Sequence, residues 1–568
     1  MLSMKGIKLE IKDLQDELPW LFAISAIWGI LILIVNPIGE FPINDDWAYA
    51  FSVRELLETG DFQFSDWTAT NLLTQVLWGT LFCLPFGFSF TALRFSTLTL
   101  GLAGILATYG LLREVNLSRP LSFFAALVVA LNPIYFSLAH SFMNDVPFFG
   151  FAIVALYFLV RGLRQDSSFD CIIGILVSYV ALLSRQLGLI LPFGFGIAYI
   201  LKKGLSLRTV VVGFAPTALG VIIQLTYQFW LEITLRAPAK YGNQINTLVQ
   251  EVSQGLRNTA INFTTIALYA LVYLGVFLFP FLLLSLVTRL KNLSLQHRIF
   301  SLSVLSTIIF IVLSTLISKQ RLMPLHGNIL VDLGVGVHIL KDSEWAKAPP
   351  FFWMMITAIG VIGATLLVHN FCLAISIILS NYYNFRSSFY LPILILSLTI
   401  TVVYLLPLCL LGLSAFGFYD RYLLFLLPPL MMMAVLVSRG VNQWFTNRKI
   451  VAFSLSILLL YGGFTVAATR DSLTWNRARW DALNHLVQDQ GISPNLIDGG
   501  FEFNAWYLYR EDYDDWNEEP EKSWYWVDRD DYVVALNSVD GYDEIARYPF
   551  RRWIPWGEGN IFVLKKHL

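Results

Sequence analysis

Long apolar runs alternate with short polar breaks along roughly the first 470 residues of the chain. The runs are about 15–25 residues long, the length that an α-helix needs to cross the hydrocarbon core of a bilayer. The pattern therefore predicts an α-helical polytopic membrane protein. Spans are expected near residues 20–36, 90–112, 120–138, 146–163, 171–184, 187–201, 209–230, 262–288, 299–318, 351–380, 389–413, 420–437 and 450–468.

The apolar segment 71–87 is too short for a clear span and is broken near its end by Pro85. If it lies in the membrane interface, basic clusters such as Arg113 and the Lys202–Lys203 pair fall in cytoplasmic loops, as the positive-inside rule requires. A span at this position would invert every later loop. We therefore expect an interfacial helix here and about 13 spans, with the N-terminus inside and the C-terminus outside.

The pattern changes from residue 470 onward. NRARWDALNHLVQ has the period of an amphipathic helix, whereas NLID, DYVVAL and NIFVLKK are typical of strands. Two regions are predicted: a transmembrane domain over residues 1–469, which includes a first external loop at 37–89, and a small external α/β domain over 470–568.

Composition supports a membrane protein and excludes some partners. The 568 residues are 56% hydrophobic and 14% charged, and mean hydropathy is +0.62. A net charge of −1 gives no reason to expect a nucleic-acid partner. The four cysteines lie in apolar runs without CxxC spacing, so neither a disulfide framework nor a metal cluster of cysteines is predicted. The first apolar run lacks a clear cleavage site and is expected to be a retained anchor.

The first polar stretch after the first span carries adjacent carboxylates, Asp45 and Asp46, in FPINDDWAYAFSVRELLETGDFQFSDW. The residues after them repeat with helical period, which predicts a short helix along the membrane surface. An acid pair also stabilises a helix N-terminus electrostatically, so a purely structural role stays open for this feature alone.

Ionisable residues beside apolar runs are costly to hold and are candidates for function. Asp145 lies in the polar break HSFMNDVPFFGF, where it either caps a helix that begins near Pro147 or acts in the site. Arg185 lies in the short break LLSRQLGL and needs an anionic partner, either a protein carboxylate or a ligand phosphate.

Two later breaks carry further cations. Arg421 and Tyr422 follow Asp420 at the mouth of a span, although Arg421 could pair with Asp420 and Tyr422 could be an interfacial anchor. The loop SKQRLMPLHGN contributes Lys319, Arg321 and His326. Basic residues on the outer side run against the positive-inside bias, which favours anion binding over a role in topology; an ordinary solvated loop is the alternative. Cations and carboxylates gathered at one interface suit a lipid-linked anion.

Five motifs in this order resemble the GT-C glycosyltransferases of the protein O-mannosyltransferase and aminoarabinose-transferase superfamily. INDDWAYAFSVRELLETGDF is similar to their first external loop. Its matching positions are Asp45, Asp46, Tyr49, Arg54, Glu55, Gly60 and Asp61. The other four motifs are PFGFSFTALRF with Arg94, MNDVPF with Asp145, LLSRQLGLILP with Arg185, and DRYLLFLLPPL with Arg421 and Tyr422. TATNLL at 68–73 departs from the family, which often has His-Pro-Pro or Glu-Lys-Pro there. The particular substrates of the family are therefore not assigned to this chain.

The resemblance implies a GT-C fold and inverting transfer of one sugar, a hexose or pentose, from a polyprenyl phosphate to an acceptor hydroxyl. The acceptor is a lipid, a glycan or a protein, and the expected location is the outer face of a bacterial plasma membrane. Asp45 is the expected general base; Asp46 or Asp145 would orient the acceptor. Any of these three carboxylates could hold a divalent cation, Mg²⁺ or Mn²⁺. The donor phosphate would be held by Arg185, Arg421, Tyr422, Lys319, Arg321 and His326, with Tyr49 and Arg54 in support.

Two other classes of protein stay open. A transporter or flippase for a lipid-linked or anionic solute would need charged or Gly/Pro-broken positions at the middle of its spans. Here the charges cluster at the interface. A non-catalytic scaffold that presents the external domain would tolerate neutral substitution of the acid pair, which the enzyme would not.

Overall fold

The computed structural model describes residues 4–242, 247–250, 255–292, 322–325, 327–336, 340–341, 347–380, 390–411, 418–438, 447–511 and 525–567, and the single positions 253, 303, 306, 307, 310, 311 and 314. Its helices are α1 (Met4–Val35), α2 (Asp46–Thr59), α3 (Leu73–Cys83), α4 (Phe90–Glu114), α5 (Arg119–Ala130), α6 (Pro133–Ala139), α7 (Asp145–Gln165), α8 (Ser168–Ser184), α9 (Ile190–Lys203), α10 (Leu207–Ile233), α11 (Leu256–Asn292), α12 (Pro350–Ser380), α13 (Tyr390–Leu411), α14 (Leu427–Leu436), α15 (Arg448–Asn484) and α16 (Phe501–Leu508). Its strands are β1 (Leu330–Val331), β2 (Gly334–Val335), β3 (Ile497–Asp498), β4 (Tyr532–Ala535), β5 (Tyr542–Trp553) and β6 (Trp556–Lys566).

Eight helices of the described residues are long and apolar enough to cross a membrane. The predicted span 120–138 is the pair α5 and α6, which meet at 66° and would make a ninth. The bend has a local cause, because the Asn132 side chain caps α6 and Pro133 begins it. The predicted fold class, a helical polytopic membrane protein with a small C-terminal α/β region, is confirmed. The number of spans stays a prediction, and most of the predicted span 299–318 lies outside the described residues.

Helix α3 forms most of the apolar segment 71–87, which could be a short span or an interfacial helix by its sequence. Its 11 residues extend about 16 Å, which is short of the roughly 30 Å that a span must cover. An interfacial position therefore suits its length.

Glycines let two pairs of helices approach closely. A Cβ at Gly150 on α7 would lie 2.6 Å from the carbonyl oxygen of Leu100 on α4. A Cβ at Gly275 on α11 would lie 2.2 Å from the carbonyl oxygen of Gly360 on α12. Small residues at such contacts allow the backbone approach that drives helix association in a bilayer. The α4–α7 contact holds the N-terminal ends of both helices at the same end of the bundle.

Arg94, in the second turn of α4, is buried and holds the loop that leads into α2. Its Nη1 donates to the carbonyl oxygens of Pro37 at 3.0 Å and Gly39 at 2.7 Å, and its Nη2 donates to that of Phe41. The guanidinium carbon also lies 4.2 Å from the centroid of the Phe41 ring. The arginine of the second motif is thus a structural link between α4 and the first loop.

Helix α15 connects the bundle to the C-terminal region. It has 37 residues, about 55 Å of helix, and it continues across the predicted domain boundary at 469/470. Its Asp471 accepts the backbone N–H groups of Trp553 and Ile554, at the turn of the β5–β6 hairpin, at 2.8–2.9 Å. The predicted strands NLID and DYVVAL contain β3 and β4, and NIFVLKK is the C-terminal part of β6. The sheet has the order β3-β4-β6-β5.

Asp530 joins the polypeptide before α12 to this sheet. Its carboxylate accepts from Lys341 Nζ at 2.6 Å and from Lys566 Nζ at 2.9 Å. Burial of the carboxyl acts to raise its pKa, but hydrogen bonds from the two lysines and from Tyr542 outweigh it and lower the pKa of Asp530 to about 2.

Asp530→Asn is expected to destabilise the protein at pH 7 by about 1 kcal/mol, because both lysines lose their counter-charge at a partly solvated site. The folded pKa lies below that of an unfolded aspartate, about 3.9, so the stabilisation is complete above about pH 4 and disappears as the pH falls towards 2. Thermal unfolding in detergent should therefore separate variant and native protein more widely at pH 7 than at pH 3. Asp531→Asn, which removes an exposed pair with Arg529, is the control. An equal separation at both pH values would contradict this account.

Candidate active site

Four breaks between helices bring together two carboxylates and two guanidinium groups. Asp45 directly precedes α2, and Asp145 is the first residue of α7. Arg185 directly follows α8, and Arg421 lies in the 3₁₀ turn that leads into α14. The polar residues that interrupt the apolar pattern thus converge at one end of the bundle. We call these four residues the acid–arginine row.

Charges alternate along the acid–arginine row. Arg185 Nη1 donates to Asp145 Oδ1 at 3.1 Å. Arg421 Nε lies 3.9 Å from Asp145 Oδ2, and its Nη2 lies 3.5 Å from Asp45 Oδ2. Asp45 is the most accessible of the four, with 19% of its side chain exposed, against 3% for Asp145 and 8% for Arg421. A hydroxyl substrate can therefore approach Asp45 more readily than Asp145.

Arg421 is buried but has spare hydrogen-bonding capacity. In the described parts of the chain, its Nε and Nη1 have no hydrogen-bond partner. A buried donor without an acceptor is costly, and guanidinium donors match the oxygens of phosphate well. The row therefore presents unused donors to an anion.

Aromatic rings surround the two cations. The Tyr422 ring centroid lies 5.0 Å from the Arg185 guanidinium carbon and 5.7 Å from that of Arg421. Tyr49, on the first turn of α2, also faces the row, and burial together with the nearby Asp45 carboxylate raises its pKa. Tyr49 therefore stays neutral at physiological pH and can donate a hydrogen bond. Tyr422, a predicted phosphate ligand, and Tyr49, a predicted supporting residue, thus both lie beside the row.

Asp46, in contrast, turns away from the row. Its carboxylate accepts the backbone N–H groups of Ile43 at 2.6 Å and Phe142 at 2.9 Å. Burial raises the pKa of Asp46 to about 7, although these bonds and the Arg94 guanidinium favour its ionised form. Asp46 thus links the first and second loops, and its predicted part in acceptor or metal binding has no support in this geometry.

Arg54 also lies away from the row. Its guanidinium carbon lies 4.4 Å from the Trp506 ring on α16, so it docks α2 on the C-terminal region. Three of the predicted phosphate ligands lie outside the described residues: Lys319, Arg321 and His326.

Two residues near the row escaped the sequence-based predictions. Trp67 Nε1 donates to Asp45 Oδ1 at 2.9 Å. Asn144 Nδ2 donates to the backbone carbonyl of Ser184 at 2.9 Å, and this joins the breaks that carry Asp145 and Arg185. The only signal for them is their position beside predicted residues, since their partners are distant in sequence.

The donor set does not favour a divalent cation. No group of three or more His, Cys, Asp or Glu side chains in the described residues is arranged to hold a metal ion. The carboxylates of the row lie against guanidinium groups, and Asp46 is engaged by backbone N–H groups. The mechanism that we propose for this site uses no metal ion.

Residues 76–230 match the family model of dolichyl-phosphate-mannose-protein mannosyltransferases. This segment reaches from α3 to α10 and contains Asp145 and Arg185. The resemblance to the GT-C glycosyltransferases is confirmed. Among curated protein sequences, none matches the chain.

Several solved GT-C structures are similar to the chain. ArnT from Cupriavidus metallidurans, bound to undecaprenyl phosphate, is 14% identical with a TM-score of 0.47, over 96% of this chain and 98% of that one. The S. cerevisiae protein O-mannosyltransferase Pmt1–Pmt2 complex, bound to the sugar donor, is 13% identical with a TM-score of 0.32, over 41% of this chain and 34% of that one. The Archaeoglobus fulgidus oligosaccharyltransferase is 15% identical with a TM-score of 0.39, over 82% and 58%.

Asp46→Asn is expected to lower the unfolding midpoint of the protein at pH 8, where the native carboxyl is ionised. Asparagine has a single acceptor oxygen, so either Ile43 or Phe142 loses its buried hydrogen bond, at a cost of about 1–3 kcal/mol. Differential scanning fluorimetry in detergent measures the shift. Glu58→Gln, an exposed change on α2, is the control. A midpoint equal to that of the native protein would contradict a structural role for Asp46.

Proposed function

We propose that the chain is an inverting glycosyltransferase that moves a single sugar from a polyprenyl-phosphate donor to an acceptor hydroxyl on the extracytoplasmic side of a membrane. The observation that carries this proposal is the buried Arg421, whose unused donors lie beside the accessible carboxylate of Asp45. A general base next to an anion site is the pair of groups that such a transfer needs. The family match supports the class of donor, because its members are described by their use of a dolichyl-phosphate sugar.

Asp45 acts as the general base in this proposal. Its Oδ2 takes the proton of the acceptor hydroxyl as the hydroxyl oxygen bonds to the anomeric carbon. The bond from that carbon to the phosphate oxygen breaks at the same time, on the opposite face of the sugar. Its electron pair leaves with the polyprenyl phosphate, and Asp45 later returns the proton to water.

Arg421 and Arg185 act on the leaving group and on the geometry of the row. The donor is a phosphodiester with one negative charge, whereas the departing monoester carries up to two at neutral pH. A fixed guanidinium is therefore more favourable for the leaving group than for the bound donor, which is the condition for catalysis. Arg185 pairs with Asp145, which in turn contacts Arg421, so Arg185 keeps this cation in place.

Asp45→Asn is expected to reduce turnover by about 100-fold to 10,000-fold, because the amide cannot accept the proton but can still accept from Trp67. The measurement is release of free polyprenyl phosphate from a panel of polyprenyl-phosphate sugars, by purified protein in detergent with a membrane lipid extract as acceptor. Donor binding is measured in parallel, and Glu58→Gln is again the control. Equal turnover in the variant would remove Asp45 from the mechanism. Neither binding nor turnover in the native protein would favour the transporter.

Arg421→Gln is expected to weaken donor binding by about 10-fold to 100-fold, because a charge-assisted bond to phosphate is replaced by a neutral one. Turnover should fall further than binding, since the cation matters most as the leaving group gains charge. Donor titration and initial rates at saturating donor separate these two effects. An unchanged donor affinity would place the phosphate elsewhere. Treatment with EDTA is expected to leave both quantities as they are.

A further inference from the structure

Trp67 links the Asp45 carboxylate to the C-terminal region. Its Nε1 donates to Asp45 Oδ1 at 2.9 Å. Its ring packs against three aromatic side chains of that region, with centroid distances of 6.0 Å to Phe501, 6.2 Å to Tyr509 and 5.5 Å to Trp526. Contacts of this kind fix the plane of an indole ring and hence the direction of its N–H group.

Glu502 of α16 reaches the same loop from another side. Its Oε1 accepts the backbone N–H of Asn44, the residue before Asp45, at 3.1 Å. Its Oε2 accepts from Arg479 Nη1 at 2.8 Å in an ion pair that is almost completely buried. Asn44 has a φ of 57°, in the left-handed region. Asparagine tolerates this conformation better than most residues, but it still needs support from its surroundings.

We propose that the C-terminal domain positions the general base, with Trp67 and Glu502 as the positioning residues for Asp45. This proposal rests on the proposed role of Asp45. Trp67 sets the orientation of the carboxylate through Oδ1 and so leaves Oδ2 for the acceptor hydroxyl. Glu502 sets the backbone from which the side chain projects. Because displacement of a reacting group by about 1 Å can cost 100-fold in rate, a carboxylate on a loop needs such support.

The same interface contains contacts that do not reach Asp45. Trp506 of α16 lies 4.4 Å from the Arg54 guanidinium and stacks on Phe88 at 5.9 Å. Changes at Trp506 therefore loosen the docking of the domain without removing a bond to Asp45 or to Asn44. This provides a control for the purely structural role of the interface.

Trp67→Phe is the deciding variant, because it keeps an aromatic ring at this position and removes the N–H donor. The full chain in detergent is assayed with its polyprenyl-phosphate sugar. The expected result is a fall in kcat of about 10-fold to 100-fold with the KM for donor unchanged. Arg421, Tyr49 and Tyr419 also face Asp45, and Asp145 faces it through Arg421; all remain in place.

Glu502→Gln can still accept from Asn44 but leaves the buried Arg479 charge uncompensated, so it tests folding as well as positioning. Trp506→Leu is expected to lower the unfolding midpoint without the loss of kcat that Trp67→Phe shows. In an Asp45→Asn background, Trp67→Phe should reduce turnover no further, because its effect passes through that carboxylate.

Two results would overturn the proposal. One is a Trp67→Phe variant whose kcat equals that of the native protein. The other is a loss of turnover in Trp67→Phe that is equally large in the Asp45→Asn background or is matched by Trp506→Leu. Failure of the proposed function would look different, since the native chain itself would then release no polyprenyl phosphate.

Discussion

Alternating charges hold the centre of this protein together. Arg185, Asp145, Arg421 and Asp45 form a row in which each ion has its neighbour as counter-charge. Burying any one of them alone would cost several kcal/mol, so removing a member leaves a neighbour without compensation. The four ions come from four separate breaks between helices. The row therefore depends on the packing of the bundle, and the ends of α2, α7 and α8 are in turn held in register by the row.

The row carries no net charge, which bears on how it would treat a lipid-linked donor. A fully satisfied neutral row would have little affinity for an anion. Arg421 is different because both of its carboxylate contacts, at 3.5 and 3.9 Å, are longer than a good hydrogen bond. The cation is balanced electrostatically while donors of its guanidinium stay unused in the described structure. In the proposed mechanism, a phosphate oxygen would engage these donors without displacing Asp45, because Asp45 contacts a different guanidinium nitrogen, Nη2.

Much of this arrangement is readable from the chain, for a specific reason. Charged residues in a membrane protein are expensive, so Asp145, Arg185 and Arg421 stand out against the apolar runs that flank them. The helical spans follow from the same contrast. The pattern does not show which way a side chain points or which distant residue it contacts. Trp67 and Glu502 look like an ordinary aromatic and an ordinary surface acid, because their partners are 22 and 458 positions away.

The adjacent acids Asp45 and Asp46 illustrate this limit most clearly. As residue types they are identical, and the helix period cannot say which one faces the site. The left-handed backbone at Asn44, with Glu502 on its N–H group, starts α2 so that Asp46 meets two backbone donors and Asp45 meets Trp67 and Arg421. The Asp46 carboxylate thereby holds two loops together, and the Asp45 carboxylate stays accessible. Because Glu502 belongs to the C-terminal region, the choice between the two acids is made by a part of the chain more than 450 residues away. The first loop and the C-terminal region that contacts it are, in this protein, one structural unit.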